Sequence, residues 1–193
     1  DRFASFYRRL NSSVAGSASV NGSSLPINRS RMSDLLGFDS VSNHARDSMW
    51  QPDIPMEGAF LITSAMTNIS RLCEELIIWN TAEFSLVELP DQFCRASVIM
   101  PQKKNPYPLA YIRGLAKHLS GIVTEFSSLS SGVTGFPDTR TFVYDKILHS
   151  LESVNGAFKL LEGILKNIEF NTDLMDSRVN QSYGFSTDLA DYL

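Results

Sequence analysis

Apolar residues in this chain recur mainly at steps of three and four, the spacing of one face of an α-helix. The most regular run is Ile147, Leu151, Val154, Phe158, Leu161, Leu165 and Ile168. It alternates four and three, the heptad seam of helices packed nearly parallel. Leu148 and Leu160 widen that face, so packing on more than one side is expected. A second stripe, Ile62, Met66, Ile69, Cys73, Leu76 and Asn80, predicts a long helix from about Asp53 to Thr81. Asp53 is placed to cap it, with Pro55 in the first turn, where a missing N–H is tolerated. A third stripe, Leu109, Ile112, Ala116, Leu119, Val123 and Phe126, lies in a helix stopping near Ser130-Ser131-Gly132. Asn105 is its expected N-cap and Pro106 its first helical residue, with Pro108 still inside the first turn.

The remaining segments are shorter. Phe3, Phe6, Tyr7 and Leu10 have helical spacing. Ser12 to Ser48 is rich in Ser and Gly, the composition of a linker. Val14, Val20, Leu25, Ile27, Leu35, Leu36 and Phe38 recur through it, which favours an ordered, loop-rich connection with one short helix near Asn28–Leu36. Ala82–Leu89 reads as a turn or extended segment ended by Pro90, and Asn171-Thr172-Asp173 and Ser186-Thr187-Asp188 as helix starts. Helices of about 25–30 residues span ~40–45 Å. That is long for a domain of 193 residues standing alone. The expected architecture is all-α: a long-helix bundle over residues 1–168, packed between subunits, and the start of a small helical C-terminal domain over 169–193.

Composition narrows the function classes. With 43% hydrophobic and 20% charged residues, the chain has enough apolar content for a packed core. A net charge of −4 and a pI near 5.4 give no basic field, so neither nucleic acid nor an anionic membrane is an expected partner. No apolar stretch approaches the ~18–20 residues of a membrane span. Cys73 and Cys94 make no metal pattern and no disulfide framework, which points to a reducing compartment and a cytoplasmic location. Cys73, on its stripe, reads as a core residue. The chain opens on Asp1 without Met or leader, and Ser186–Leu193 resembles a helix start cut after two turns. A fragment of a longer protein is the expectation.

One segment is not explained by packing: Ala96-Ser97-Val98-Ile99-Met100-Pro101-Gln102-Lys103-Lys104-Asn105-Pro106. It places a hydroxyl, two lysines and an Asn in a loop that feeds a helix N-terminus, where backbone N–H groups and the positive dipole end favour anions. A serine in that field loses its proton more easily than a free one, the condition for acting as a base. A solvated basic turn ended by Pro is the bland alternative. His44, His118 and His149 are isolated and read as surface or satisfied core residues.

The same segment resembles the signature loop of the aspartase/fumarase superfamily, Gly-Ser-Ser-x-Met-Pro-x-Lys-x-Asn-Pro. Seven consecutive residues, Met100 to Pro106, match the form found in argininosuccinate lyases. Weaker likenesses surround it: Leu25-Pro-Ile-Asn-Arg29, Glu83-Phe-Ser-Leu-Val87 and Ser186-Thr-Asp-Leu-Ala190. Nearly the whole chain thus looks like the second half of such a lyase. The resemblance implies β-elimination of fumarate from an N-substituted aspartate, without metal or cofactor. It implies Ser97 as the catalytic serine, Lys103 as the lysine that binds the substrate carboxylate and steadies the dianionic intermediate, and Asn105 as the asparagine of that site. It also implies a homotetramer whose sites are shared between subunits, with the catalytic His supplied by an earlier segment.

The chain departs from the pattern at three places. Ala96-Ser97-Val98 replaces Gly-Ser-Ser, which stiffens the loop. Ala110 stands where the family has the Glu that partners the catalytic His. The shorter Asp138-Thr-Arg-Thr-Phe-Val-Tyr144 replaces the stretch that grips argininosuccinate, and only Asp145-Lys146 resembles the end of it. Two alternatives follow: a C–N lyase for a different aspartate adduct, or an impaired lyase-fold homologue kept for binding or assembly.

Overall fold

A computed structural model describes residues 1–50, 52–129, 138 and 141–193. The expected helix stop at Ser130–Gly132, and Thr139 and Arg140 of the Asp138–Tyr144 stretch, lie outside the described residues. Among the described residues the architecture is all-α, with eight α-helices and six two-residue strands. The helices are α1 (Arg2–Leu10), α2 (Arg29–Leu36), α3 (Ala45–Trp50), α4 (Asp53–Trp79), α5 (Tyr107–Leu129), α6 (Thr141–Asn167), α7 (Thr172–Gln181) and α8 (Ser186–Tyr192). The strands pair as β1 (Ser12–Ser13) with β2 (Ser40–Val41), β3 (Val87–Glu88) with β6 (Glu169–Phe170), and β4 (Arg95–Ala96) with β5 (Lys104–Asn105).

The chain forms two compact units, Asp1–Thr67 with Ala116–Ser153, and Asn68–Leu115 with Val154–Leu193. The first unit buries Leu61, Met66, Leu119, Ile122 and Phe126. Its helix α1 lies on α4: Arg9 pairs with Glu57, and a Cβ on Gly58 would sit 3.0 Å from the Phe6 ring. The serine-rich connection is ordered because its polar groups find partners. Arg29 donates from Nε to the Ala15 carbonyl at 3.2 Å and from Nη2 to Ser17 Oγ at 2.9 Å. Ser33 Oγ donates to the Ser40 carbonyl at 2.9 Å, beside the parallel β1–β2 pair. The short helix α2 starts where expected, Asn28 Oδ1 accepting from the Arg31 N–H, and stops on Gly37 at φ 76°, a left-handed position suited to glycine.

The second unit buries Cys73 and Leu76 of α4, Val87 and Leu89, Leu109 and Ile112 of α5, and Val154, Ala157, Leu161 and Ile164 of α6. Burying a side chain the size of Ile112 or Ile164 contributes about 1.5–3 kcal/mol. Helix α7 is tied to the turn after α4. Asn171 Oδ1 accepts from Leu174 N, its Nδ2 donates to the Ser85 carbonyl, and Arg178 donates to the Glu83 carbonyl while lying over Phe84.

Four sequence expectations need correction. Asp53 is not a cap but the first helical residue, because the Pro52 carbonyl accepts from the Met56 N–H. Asn105 does not cap α5 either: it lies in β5, and the Pro106 carbonyl takes the first-turn bond from Ala110. Ser186 falls inside α8, whose N-cap is Phe185. On α6 the buried line in the second unit is Val154, Ala157, Leu161 and Ile164, whereas Leu151, Phe158 and Leu165 of the seam are each 44% exposed.

Candidate active-site loop

Pro90, in extended backbone, opens a single 3-10 turn, Asp91–Phe93, closed by Phe93 N–H to the Pro90 carbonyl and Cys94 N–H to the Asp91 carbonyl. The chain then runs straight into β4 and returns in β5, with Arg95 opposite Asn105 and Ala96 opposite Lys104. This two-pair ladder closes the loop of residues 97–103. Ser97 and Lys103 are the first residues beyond the last pair, so register places them on the two sides of the loop's mouth. Asn105 sits at its base, half-buried, with Nδ2 donating to the Arg95 carbonyl at 3.1 Å. The Arg95 guanidinium in turn lies 5.2 Å from the centroid of the Tyr107 ring.

Inside the loop, Ser97 Oγ accepts from the amides of Ile99 at 3.3 Å and Met100 at 3.2 Å. Among the described residues that hydroxyl makes no bond to a His or a carboxylate. Lys103 is exposed, and its own amide donates to the Met100 carbonyl at 3.0 Å. Val98 and Ile99 stand almost fully in solvent at the tip. Pro106 and Pro108 carry no N–H, so the amides of Tyr107 and Leu109 are the donors that the start of α5 has left.

The neighbouring lysine behaves differently. Lys104 Nζ lies 2.5 Å from Asp91 Oδ1 and 3.5 Å from Glu88 Oε1. The hydrogen bond to Asp91, then the charges of Asp91 and Glu88, hold its ammonium above the usual lysine range. Beside it, burial pushes the Cys94 thiol up, opposed in part by Lys104. A cavity of about 510 Å³ opens on this side, lined by Glu88, Cys94, Lys104, Glu169 and Asn171 among others. These pairings were not readable from sequence, because only the hairpin's return brings residue 104 back to residues 88 and 91.

The other expected features lie elsewhere. Ala110 is exposed on α5, one turn beyond Pro106. Lys146 pairs with Glu125, Tyr144 is exposed, and the side chain of Asp145 lies outside the described residues. His44 caps α3 by accepting from the Asp47 amide at Nδ1, while His118 is exposed and His149 lies 3.8 Å from Glu152. A larger cavity in the first unit, about 690 Å³ with mainly apolar walls, holds none of the expected site residues. Among the described residues no group of three or more His, Cys, Asp or Glu side chains is arranged to hold a metal ion.

Comparison with known proteins decides the family. The family described as "Lyase" matches residues 1–121. The chain belongs to that lyase family. An argininosuccinate lyase of Geobacillus sp. (strain WCH70) is 33% identical over 195 residues, covering all of this chain and 42% of that protein. This lyase-family chain thus spans about two fifths of the length of the curated relatives it matches. An EDDS lyase variant solved with bound fumarate superposes with a TM-score of 0.88 at 28% identity, over 99% of this chain and 38% of that one. A class II fumarase of Schistosoma mansoni shares the fold, with a TM-score of 0.78 at 15% identity over 93% of this chain and 43% of that one. The resemblance read from Met100–Pro106 therefore holds at the level of the family, and the described residues are all-α as the periodicity predicts.

Proposed function

We propose that the full-length protein is a carbon–nitrogen lyase that releases fumarate by β-elimination from an N-substituted aspartate such as argininosuccinate, giving arginine and fumarate. One observation carries the proposal: Ser97 and Lys103 flank the mouth of a single exposed loop whose Met100–Pro106 run matches the lyase signature. In this reading Ser97 Oγ removes the proton from the carbon next to the substrate carboxylate. The pair of electrons released forms the new double bond, and the nitrogen leaves. The amides of Ile99 and Met100, already aimed at Oγ, stabilise the alkoxide that this step requires. Lys103 carries the charge that offsets the dianionic intermediate, and Asn105 binds the same anion from the base of the loop.

The proposal includes a role in arginine biosynthesis, a cytoplasmic location, and a homotetramer that completes each site with residues from other subunits. It includes the division into a long-helix body over residues 1–168 and the start of a smaller helical domain over 169–193. Ala110 favours a second reading, a lyase-fold protein that binds without turnover, because no carboxylate stands at that position to partner a catalytic His. A different aspartate adduct is favoured by Lys146, whose ammonium is already paired with Glu125. Full-length protein offered argininosuccinate, adenylosuccinate and simpler aspartate adducts separates these readings. Fumarate formation from one of them supports catalysis and names the adduct, and binding without fumarate supports the second reading.

A further inference from the structure

The loop carries two adjacent lysines with the same charge on the same kind of stem, and the signature needs one of them. The structure separates them. Lys104 is turned to the acidic side of the hairpin's base, within reach of Asp91 and Glu88, while Lys103 has no carboxylate partner among the described residues. The β4–β5 ladder contains two residue pairs, and so short an antiparallel ladder is marginal by itself. Contacts outside the backbone must therefore hold its register, since a slipped or frayed ladder turns its side chains to the other face.

We propose that Asp91 and Glu88, acting through Lys104, are positioning residues that pin the base of the loop so that Lys103 alone is presented to a dicarboxylate. The proposal rests on the lyase reading above. Lys104 has a second reason to stay where it is. Glu88 lies directly opposite Glu169 across the β3–β6 pair, a like-charged juxtaposition that is unfavourable without a cation. Drawing Lys104 out toward the loop's mouth would expose that repulsion and break the bond to Asp91. Arg95 over Tyr107, and Asn105 on the Arg95 carbonyl, hold the same ladder from its other end. Because the ammonium is half exposed, the expected effects are several-fold and not orders of magnitude.

The test uses full-length protein, with an amine-reactive acylating reagent and mass spectrometry to follow the two lysines. In the wild type Lys103 should label several-fold faster than Lys104, and succinate, used as the dicarboxylate probe, should protect Lys103 alone. The double variant D91N/E88Q should bring the two labelling rates together. It should also raise KM about three- to fivefold with kcat nearly unchanged, a split that general loss of structure does not produce. K104R should retain the wild-type KM, and K104M should match the double variant. Equal labelling in the wild type, protection of Lys104 by succinate, or an unchanged KM in D91N/E88Q overturns the proposal. Labelling needs no turnover, so a protein that makes no fumarate but shows the expected labelling pattern removes the lyase reading and leaves the clamp standing.

Discussion

Two glycines on the same helix should respond to alanine in opposite directions. Gly163 and Gly156 both lie inside α6. A Cβ on Gly156 meets nothing within 4 Å, whereas one on Gly163 would sit 2.7 Å from Phe93 Cζ and 3.2 Å from Cε1. Replacing glycine by alanine in a helix interior stabilises by about 1 kcal/mol. Gly156→Ala should gain that amount, which raises the Tm of a chain this size by about 2–4 °C. Gly163→Ala gains the same term but must displace an aromatic ring, an overpacking cost of about 1–3 kcal/mol. Its net effect runs from near zero to about 2 kcal/mol destabilising, and the two variants should differ by about 1–3 kcal/mol. Urea unfolding followed by circular dichroism, with m-values checked for equality, measures this difference. The ring belongs to the turn that carries Asp91, so Gly163→Ala should also speed acylation of Lys104, and Gly156→Ala should not. Equal stabilisation by both alanines would refute the reasoning, because it would mean that Phe93 does not close on α6.

Other predictions test the supports of the fold. Asn171→Ala removes the cap bond to Leu174 and the bond to the Ser85 carbonyl, and should cost about 1–2 kcal/mol, with faster hydrogen exchange confined to α7. Burial pushes the Cys73 thiol up to about 11, from an ordinary value of 9.0. Between those values the unfolded thiol loses its proton and the folded one keeps it, so stability should be level below pH 9 and fall as pH rises toward 11. The full effect is at most about 2–3 kcal/mol, and a Cys73→Ala variant should lose that slope. In native protein at pH 8 an aromatic disulfide reagent should titrate Cys94 and reach Cys73 on unfolding only. Arg29→Met removes the two bonds that organise Ala15 and Ser17 and should cost about 1–3 kcal/mol, read as faster proteolysis within residues 14–22.

Helix existence was legible because the stripes on α4 and α5 are long and regular: Met66, Cys73, Leu76, Leu109, Ile112, Leu119 and Phe126 are all buried as their spacing implies. Helix starts were less so. Pro52 and Pro106 supply the carbonyls that accept first-turn bonds, so Asp53 and Asn105, good capping residue types, are displaced from the cap. Of the seven α6 seam positions only Val154 and Leu161 are buried, because a heptad pattern does not state which neighbour covers each position. Leu151, Phe158 and Leu165 keep the spacing and remain substantially exposed. The two-residue strands carry too few residues for any period, and the β3–β6 pair joins positions more than 80 residues apart. The signature loop was legible as a family match. Its geometry was not, since only the pairing of β4 with β5 sets Ser97 and Lys103 at one mouth and brings Lys104 to Asp91 and Glu88.

The most direct test of the account is the rate of fumarate formation by full-length protein, followed by the ultraviolet absorbance of the new conjugated double bond. Wild type should convert an N-substituted aspartate to fumarate. Ser97→Ala should retain the fold and lose about 10²–10⁴ in kcat, the usual contribution of a positioned acid–base group. No fumarate from any aspartate adduct, or a Ser97→Ala variant as fast as wild type, would contradict the account.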